Sequence, residues 1–171
     1  QGTTTMAALA SWAAQAHAQA AKNPKVAKRP RPLTAEEVAA DKIALAPFTR
    51  SMCTGLADGA ASVVVCAGSW LSPQPTKTQA RAVKLSQLAR RSGGRVRFDD
   101  DSVNVHVGRA VDTGGVDVAE VHDATSYATV AALQALSLTS LPAASVNPSG
   151  GLIGKGHPLA ATGLAMIHEI A

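Results

Sequence analysis

The stretch at residues 147–163, NPSGGLIGKGHPLAATG, is the most informative part of this sequence. Four glycines come before its single histidine, His157: Gly150, Gly151, Gly154 and Gly156. Glycine accepts positive φ and lets the backbone approach another group closely. Proline suits the first turn of a helix, where its missing N–H is not needed, so Pro158 favours a helix start. The pattern predicts a strand that ends near Asn147, a tight glycine loop, and a helix from about Pro158.

His157 is the residue of this stretch with the most chemical potential. It would lie at the N-terminus of the predicted helix, beside backbone N–H groups that have no partner within the helix. Such groups favour negative charge that develops nearby, and an imidazole can take up or release a proton near neutral pH. The stretch therefore predicts an oxyanion site with His157 as its general base.

A second histidine follows a strand-like segment. Residues 116–121, VDVAEV, alternate as in a strand and lead into His122 and Asp123, and a helix is expected from about Ser126 to Leu138. A residue at the end of a strand projects into the crevice where α/β sheets bind ligands. His122 is therefore a second candidate site residue, whereas Asp123 is expected to orient or to cap.

Both segments resemble the thiolase superfamily. The letters NPSGGL and KGHPL within residues 147–163 are similar to its glycine-rich GHP signature, as in sterol-carrier-protein-2 thiolases and related thiolase-like lipid-transfer proteins. HDAT at residues 122–125 resembles the HD-x-F motif of the same branch, and DGAASVVV at residues 58–65 resembles the strand that closes the first thiolase half. The resemblance implies an α/β fold of layered α-β-α-β-α type with a mixed sheet, present here as an incomplete part.

The resemblance also implies two parts. Residues 1–70 correspond to the end of the N-terminal thiolase half, and residues 71–171 to the C-terminal half. The loop-like letters SWLSPQPTKTQ, at residues 69–79, are the expected boundary. Residues 80–91 are compatible with a helix or a strand, and the resemblance favours a strand.

Three other elements follow from local pattern. Residues 5–22 have apolar positions at helical spacing and are followed by Pro24, which predicts one helix. The letters TAEE from Thr34 form a capping box, so a short helix should run to about Asp41. Residues 60–67 are small, β-branched and nearly all apolar, as in a strand that is buried on both faces.

Composition restricts the class of protein. The chain has 171 residues, of which 46% are apolar but only 3% aromatic, so its core must consist of alanine, valine and leucine. The net charge is +4, and the basic residues 22–31 favour a solvated connection or a rim that meets cofactor phosphates over a nucleic-acid patch. No apolar run approaches the length of a membrane span.

Cysteines and acidic residues suggest no further chemistry. Cys53 and Cys66 are expected to be packing cysteines without a disulfide framework, which fits a reducing compartment such as cytoplasm, mitochondrion or peroxisome. The acidic run at residues 99–101 predicts a solvated loop, not a metal site, because consecutive carboxylates diverge. His106 is expected to be structural.

The function implied by the resemblance is acyl transfer on 3-ketoacyl-CoA thioesters, with the nucleophilic cysteine outside this segment. His157 would be the base that activates the nucleophile, and His122, with a water, would polarise the thioester carbonyl. Coenzyme A would be a substrate, with no permanently bound cofactor and no metal, and a homodimer or larger assembly is implied. The backbone expected to meet the thioester and pantetheine is that of Asn147, Gly150, Gly151 and Gly156.

Two alternatives remain open. Ala124 replaces the cysteine that sterol-carrier-type relatives carry, and Tyr127 lies nearby, which fits a retro-aldolase that acts on sterol side-chain CoA esters. The short connection before residue 147, together with Ala160 where the family has glycine, fits a degenerate structural subunit of a larger assembly.

Overall fold

Helices dominate the chain over residues 4–26, 30–90 and 110–171, the ranges that the computed structural model describes. The α-helices there are α1 (Met6–Lys22), α2 (Ala35–Ala40), α3 (Gly68–Leu71), α4 (Thr76–Gln79), α5 (Ser126–Ala135), α6 (Gly151–Lys155) and α7 (Thr162–Ile170). Strands β1 (Ile43–Leu45) and β2 (Phe48–Thr49) pair antiparallel, and 3₁₀ turns lie at Arg50–Met52, Ala143–Ser145 and Leu159–Ala161. A mixture of helices with a small sheet is confirmed, and the layered arrangement stays a prediction.

Helix α1 confirms the prediction for residues 5–22. The Thr5 hydroxyl caps its start by accepting from the N–H of Ala8 at 3.2 Å, which satisfies one of the free donors at a helix N-terminus. The helix ends at Lys22, with Asn23 as its C-cap ahead of the proline. Its buried residues recur at helical spacing: Leu9, Ala10, Ala13, Ala16 and Ala20.

Helix α6 lies inside the glycine stretch and packs against the small residues of α1. A Cβ added to Gly154 would lie 2.5 Å from the Cβ of Ala20 and 2.7 Å from the carbonyl oxygen of Ala16. The two helices can approach this closely only because neither carries a large side chain there. The predicted tight loop is therefore partly wrong: its centre is a short helix, anchored by Leu152 and Ile153, which are 1% and 5% exposed.

Two apolar clusters flank this contact and explain how a chain poor in aromatics builds a core. One joins α1 with α2 and α6: Leu9, Ala10, Ala13, Ala16, Val38, Met52 and Ile153. The other joins α5 with the segments around residues 119 and 146: Ala119, Val121, Leu133, Leu138 and Val146. Burial of these side chains is the main favourable contribution to folding.

The capping box at α2 is also confirmed. The hydroxyl of Thr34 accepts from the N–H of Glu37 at 3.2 Å, and the Glu37 carboxylate accepts from the N–H of Thr34 at 2.9 Å. These reciprocal bonds satisfy two donors and fix the start of the helix. They depend only on residues three apart, which is why the four letters were sufficient.

The strand predicted at residues 60–67 is wrong. No strand is assigned there, and Val64 and Val65 are 91% and 81% exposed. A strand buried on both faces needs neighbouring strands on both edges and cover above and below, and the described neighbours supply neither. Cys66 is exposed, so its predicted packing role is wrong as well.

Other predicted loops and strands also differ from the structure. The loop predicted at residues 69–79 contains α3 and α4, and residues 80–90 contain no strand. The strand predicted at residues 116–121, and the one expected to end near Asn147, reduce to a single parallel bridge between Ala119 and Val146. Two isolated segments can satisfy a few backbone groups in this way without forming a ladder.

Some predictions lie outside the described ranges or concern the chain as a whole. The acidic run at residues 99–101 and His106 are outside these ranges. None of the helices described is both long and apolar enough to cross a bilayer. Over the same residues, no three His, Cys, Asp or Glu side chains are grouped so that they could hold a metal ion.

Candidate active site

Three chain segments meet around the two candidate histidines. The first, residues 53–57, runs beside the second, residues 121–125: Cys53 forms an antiparallel bridge with Thr125, and the N–H of Thr54 donates to the carbonyl of Ala124 at 3.0 Å. The Thr54 hydroxyl also donates to the carbonyl of Leu152 at 2.7 Å. Thr54 therefore connects residues 121–125, which include His122, to the glycine stretch.

The third segment is the glycine stretch, which carries His157. The N–H of His157 donates to the carbonyl of Gly55 at 2.8 Å, and His157 forms a parallel bridge with Leu56. Gly156 just before it has φ +93, and a Cβ there would lie 2.7 Å from the Cβ of Ala57. Only glycine combines that backbone angle with that close approach, so Gly156 fixes the turn that aims His157.

The imidazole rings of His122 and His157 lie side by side. Their centroids are 4.9 Å apart and the planes make an angle of 85°, an edge-to-face contact. His122 is exposed and His157 is half-buried. The two histidines expected to converge thus share one surface, although their catalytic roles stay predictions.

Thr162 sets the orientation of His157. Its hydroxyl oxygen lies 2.6 Å from Nδ1 of the imidazole, and Thr162 itself is 4% exposed. When Nδ1–H donates to this oxygen, Nε2 carries the lone pair and can accept a proton. Helix α7 begins at Thr162, not at about Pro158 as predicted, so His157 precedes the helix by one turn and meets a side chain of its first residue.

Asn147 and Asp123 fix the segment that carries His122, residues 121–125. Asn147 has φ +46 and its side-chain oxygen accepts from the N–H of Val121 at 2.7 Å. Asp123 is 1% exposed, and its carboxylate accepts from the N–H of Leu152 at 2.6 Å. Asp123 therefore caps α6, in agreement with the expectation that it orients or caps.

Burial raises the pKa of Asp123 to about 7, against the lowering by hydrogen bonds from Leu152, Asn147 and Ile153. Removal from water disfavours the charged form of a carboxyl group, and N–H donors restore part of that cost. The Asp123 side chain is thus a buried titrating group one residue from an exposed candidate histidine.

The glycines predicted to meet coenzyme A have internal neighbours. Gly150 packs on Ala20, and a Cβ on Gly151 would overlap the Asp123 carboxylate. Asn147 is 4% exposed. These three residues pack in the interior, so their contact with a thioester stays a prediction. Gly156, which is half-buried, is the most accessible of the four.

Two other polar residues are less suited to catalysis. Cys53 is half-buried, and burial raises the pKa of its thiol, which disfavours the reactive thiolate. This agrees with the expectation of a packing cysteine. Tyr127 is 45% exposed on the first turn of α5.

A groove of about 480 Å³ opens on the far side of Thr162 and Pro158. Residues 57–62, α6 and α7 line it, and Lys155 and Glu169 face each other there at 3.6 Å. Both side chains are mostly buried, with exposures of 16% and 14%. The groove shares Thr162 with the surroundings of His157, but neither His122 nor His157 lines it.

Sequence reasoning missed three sets of side-chain contacts around the site: those of Thr162, Glu120 and Asn147. Glu120 accepts from the N–H and the hydroxyl of Ser149 at 2.9 and 2.8 Å. Only Thr162 had a usable signal, since a hydroxyl five residues after His157 can return to it in a turn. The other contacts join residues far apart in the sequence.

No family model matches the chain. Comparison with known proteins does find relatives. Acetyl-CoA acetyltransferase from Methanothermobacter thermautotrophicus is 28% identical over 98% of this chain and 49% of its own length. Benzoylsuccinyl-CoA thiolase subunit BbsB from Thauera aromatica is 28% identical over 79% of this chain and 41% of its own. Human sterol carrier protein 2 is 28% identical over 79% of this chain and 30% of its own. The chain thus spans half or less of these relatives.

Proposed function

This chain is homologous to thiolases of the acetyl-CoA acetyltransferase and sterol-carrier-protein-2 type, and on that premise we propose that it takes part in acyl transfer on 3-ketoacyl-CoA thioesters. The observation that carries the proposal is the pair of imidazoles, 4.9 Å apart, on separate chain segments. The proposal extends to the layered thiolase fold, in which these residues would form part of a larger unit.

The geometry supports a division of roles between the histidines. His157, half-buried and held at Nδ1 by Thr162, has Nε2 free to take the proton of an attacking thiol. His122, which is exposed, is placed to donate a hydrogen bond, directly or through a water, to the thioester oxygen as it gains negative charge. The nucleophilic cysteine is proposed to come from outside this segment, because Cys53 is disfavoured as a thiolate.

The substrate is proposed to be a coenzyme A thioester that is not permanently bound. Gly156 lets the backbone approach the pantetheine end, and the groove beside Thr162 offers room of about 480 Å³ for part of the ligand. Since the relatives are enzymes more than twice this length, the complete protein is the right material for a test.

The test is thiolysis, in which free coenzyme A cleaves a 3-ketoacyl-CoA into acetyl-CoA and a shortened acyl-CoA. We expect the complete protein to catalyse it and His157→Ala to lose about 100-fold or more in kcat. His17→Ala is the matched control, because His17 lies on α1, where its Nε2 is 3.0 Å from the carbonyl oxygen of Ser51, and does not line the groove. Equal turnover in His157→Ala and His17→Ala would exclude the base role.

A second function, as a structural subunit of a thiolase assembly, is favoured by one observation. Leu56, Val64 and Val65 are 86%, 91% and 81% exposed, and apolar surface of this kind marks contacts with other protein segments. A folded complete protein that forms an assembly yet neither binds nor cleaves 3-ketoacyl-CoA would support this function over the first.

A further inference from the structure

Asp123 connects the segments that carry His122 and His157 through a buried hydrogen bond. Its carboxylate accepts from the N–H of Leu152 at 2.6 Å and is also held by the N–H of Ile153 and the side chain of Asn147. Above about pH 7, where the Asp123 carboxyl is ionised, bonds to it from N–H groups are stronger than those between neutral groups. At 1% exposure, little water can compete for this carboxylate.

The position of this bond in the chain couples the two rings. Asp123 directly follows His122, and Leu152 precedes His157 by five residues, the first three of which lie in α6. A shift at either end of the bond therefore moves one imidazole relative to the other. The other connection runs through Thr54 and the exposed Gly55, where water competes for the same backbone groups.

Gly151 shows that the backbone is built around this carboxylate. It has φ +56, and a Cβ there would overlap Oδ2 of Asp123 and lie 2.7 Å from the Asn147 side-chain nitrogen. Any other residue would displace the acid from the start of α6. The glycine thus admits the carboxylate to a place that the fold leaves open for it.

The surroundings of Asp123 exclude a direct chemical role. The small void beside it, about 10 Å³, is lined by side chains that do not titrate: Trp12, Gln15, Ala16, Thr129, Val146 and Asn147. They belong to α1, α5 and the segment before α6, the elements packed against it. The nearest titratable groups on its own segment are Glu120, which is bonded to Ser149, and His122. A buried carboxylate without a path to substrate can act only through the residues that it holds.

We infer that Asp123 is a positioning residue that holds His122 and His157 at their working separation by fixing the start of α6. Its kinetic consequence rests on the proposed acyl transfer, whereas its geometric consequence does not. Reactions of this kind lose rate steeply when a reacting group moves by about 1 Å.

The first experiment compares Asp123→Asn with Glu37→Gln in the complete protein. The asparagine would place an N–H₂ group against the Asn147 amide, which already uses its oxygen for Val121, and so weaken the cap. We expect kcat for thiolysis to fall about 100-fold with KM changed by less than about threefold. Glu37→Gln makes the same chemical change to a carboxylate that caps α2 and not α6, so its kcat should stay within about threefold.

The second experiment needs no activity. Cross-relaxation between ring protons of His122 and His157, measured by NMR with labelled histidine, should be strong in the unmutated protein and in Glu37→Gln, and lost in Asp123→Asn. A variant that is less stable but keeps both the ring contact and kcat would overturn the inference, because the role would then be structural only. Lost ring contact in a protein whose unmutated form shows no turnover would refute acyl transfer but support the positioning.

A third measurement covers a variant that does not fold. In the unmutated protein the Leu152 amide should exchange with solvent far more slowly than that of the exposed Gly55. Exchange of Leu152 as fast as that of Gly55, with the ring contact intact, would show that the bond does not hold the site and would overturn the inference.

Discussion

The hydroxyl of Thr162 lies 2.6 Å from Nδ1 of His157, and Thr162 is the first residue of α7. One side chain therefore decides how the ring is turned and which nitrogen faces outward. The site is thus composed of two exposed or half-exposed imidazoles and a set of buried residues that orient them.

Thr162→Val should lower kcat without unfolding the protein. Valine has nearly the same shape, but it removes the hydrogen-bond partner of Nδ1, and loss of one such bond costs about 1–3 kcal/mol. We expect a fall of about 10- to 100-fold in kcat/KM for thiolysis. Thr162→Ser, which keeps the hydroxyl, should retain most of the activity. Equal activity of the valine and serine variants would contradict the orienting role.

Gly154→Ala should destabilise the protein through the contact between α6 and α1. The added methyl would lie 2.5 Å from the Cβ of Ala20 and 2.7 Å from the backbone oxygen of Ala16, and neither can move away easily. We expect a loss of about 1–3 kcal/mol in the free energy of unfolding, measured with urea.

Gly163→Ala is the control for that change. A Cβ at Gly163 would have no neighbour within 4 Å, and the residue lies in α7. Alanine favours the helix by up to about 1 kcal/mol over glycine, so this variant should be as stable as the parent or slightly more stable. Two variants of equal stability would contradict the close approach of the helices.

Asp123 should make stability depend on pH between about 4 and 7. Its pKa is about 7 in the folded protein against an ordinary value of 3.8, so over this range the folded state binds a proton that the unfolded state has lost. The contribution is therefore complete below about pH 4 and is lost as the pH rises through 7, in total on the order of 4 kcal/mol.

Urea titrations of the parent and of Asp123→Asn at several pH values measure this effect. The difference in unfolding free energy between the two proteins should shift steadily in favour of Asp123→Asn from pH 4 to pH 7, and then level off. A difference that is constant over that range would show that the carboxyl titrates with its ordinary pKa in the folded state.

Local features of the fold were predictable from the sequence. Helix α1 follows from apolar spacing over residues 5–22, and the cap of α2 follows from Thr34 and Glu37, which are three apart. The two candidate histidines stood out because each follows a segment that ends at a turn. In all these cases the deciding interactions lie within one turn of the backbone.

The rest depended on contacts between distant residues. Asp123 and Leu152 are 29 positions apart, so neither the cap of α6 nor the helix itself could be seen in the glycine letters. Residues 60–67 have strand composition but lack the paired neighbours that would make it a strand. Composition specifies what a segment can form, whereas its neighbours decide what it forms.

A shared acyl-transfer site for His122 and His157 is tested most directly by a double-mutant cycle of His122→Gln and His157→Gln. The quantity measured is kcat/KM for thiolysis by the complete protein. If the two imidazoles act on the same thioester, each single variant should lose about 100-fold or more, and the double variant should lose little beyond the worse single one. Losses that multiply independently, or single variants as active as the parent, would contradict a shared acyl-transfer site.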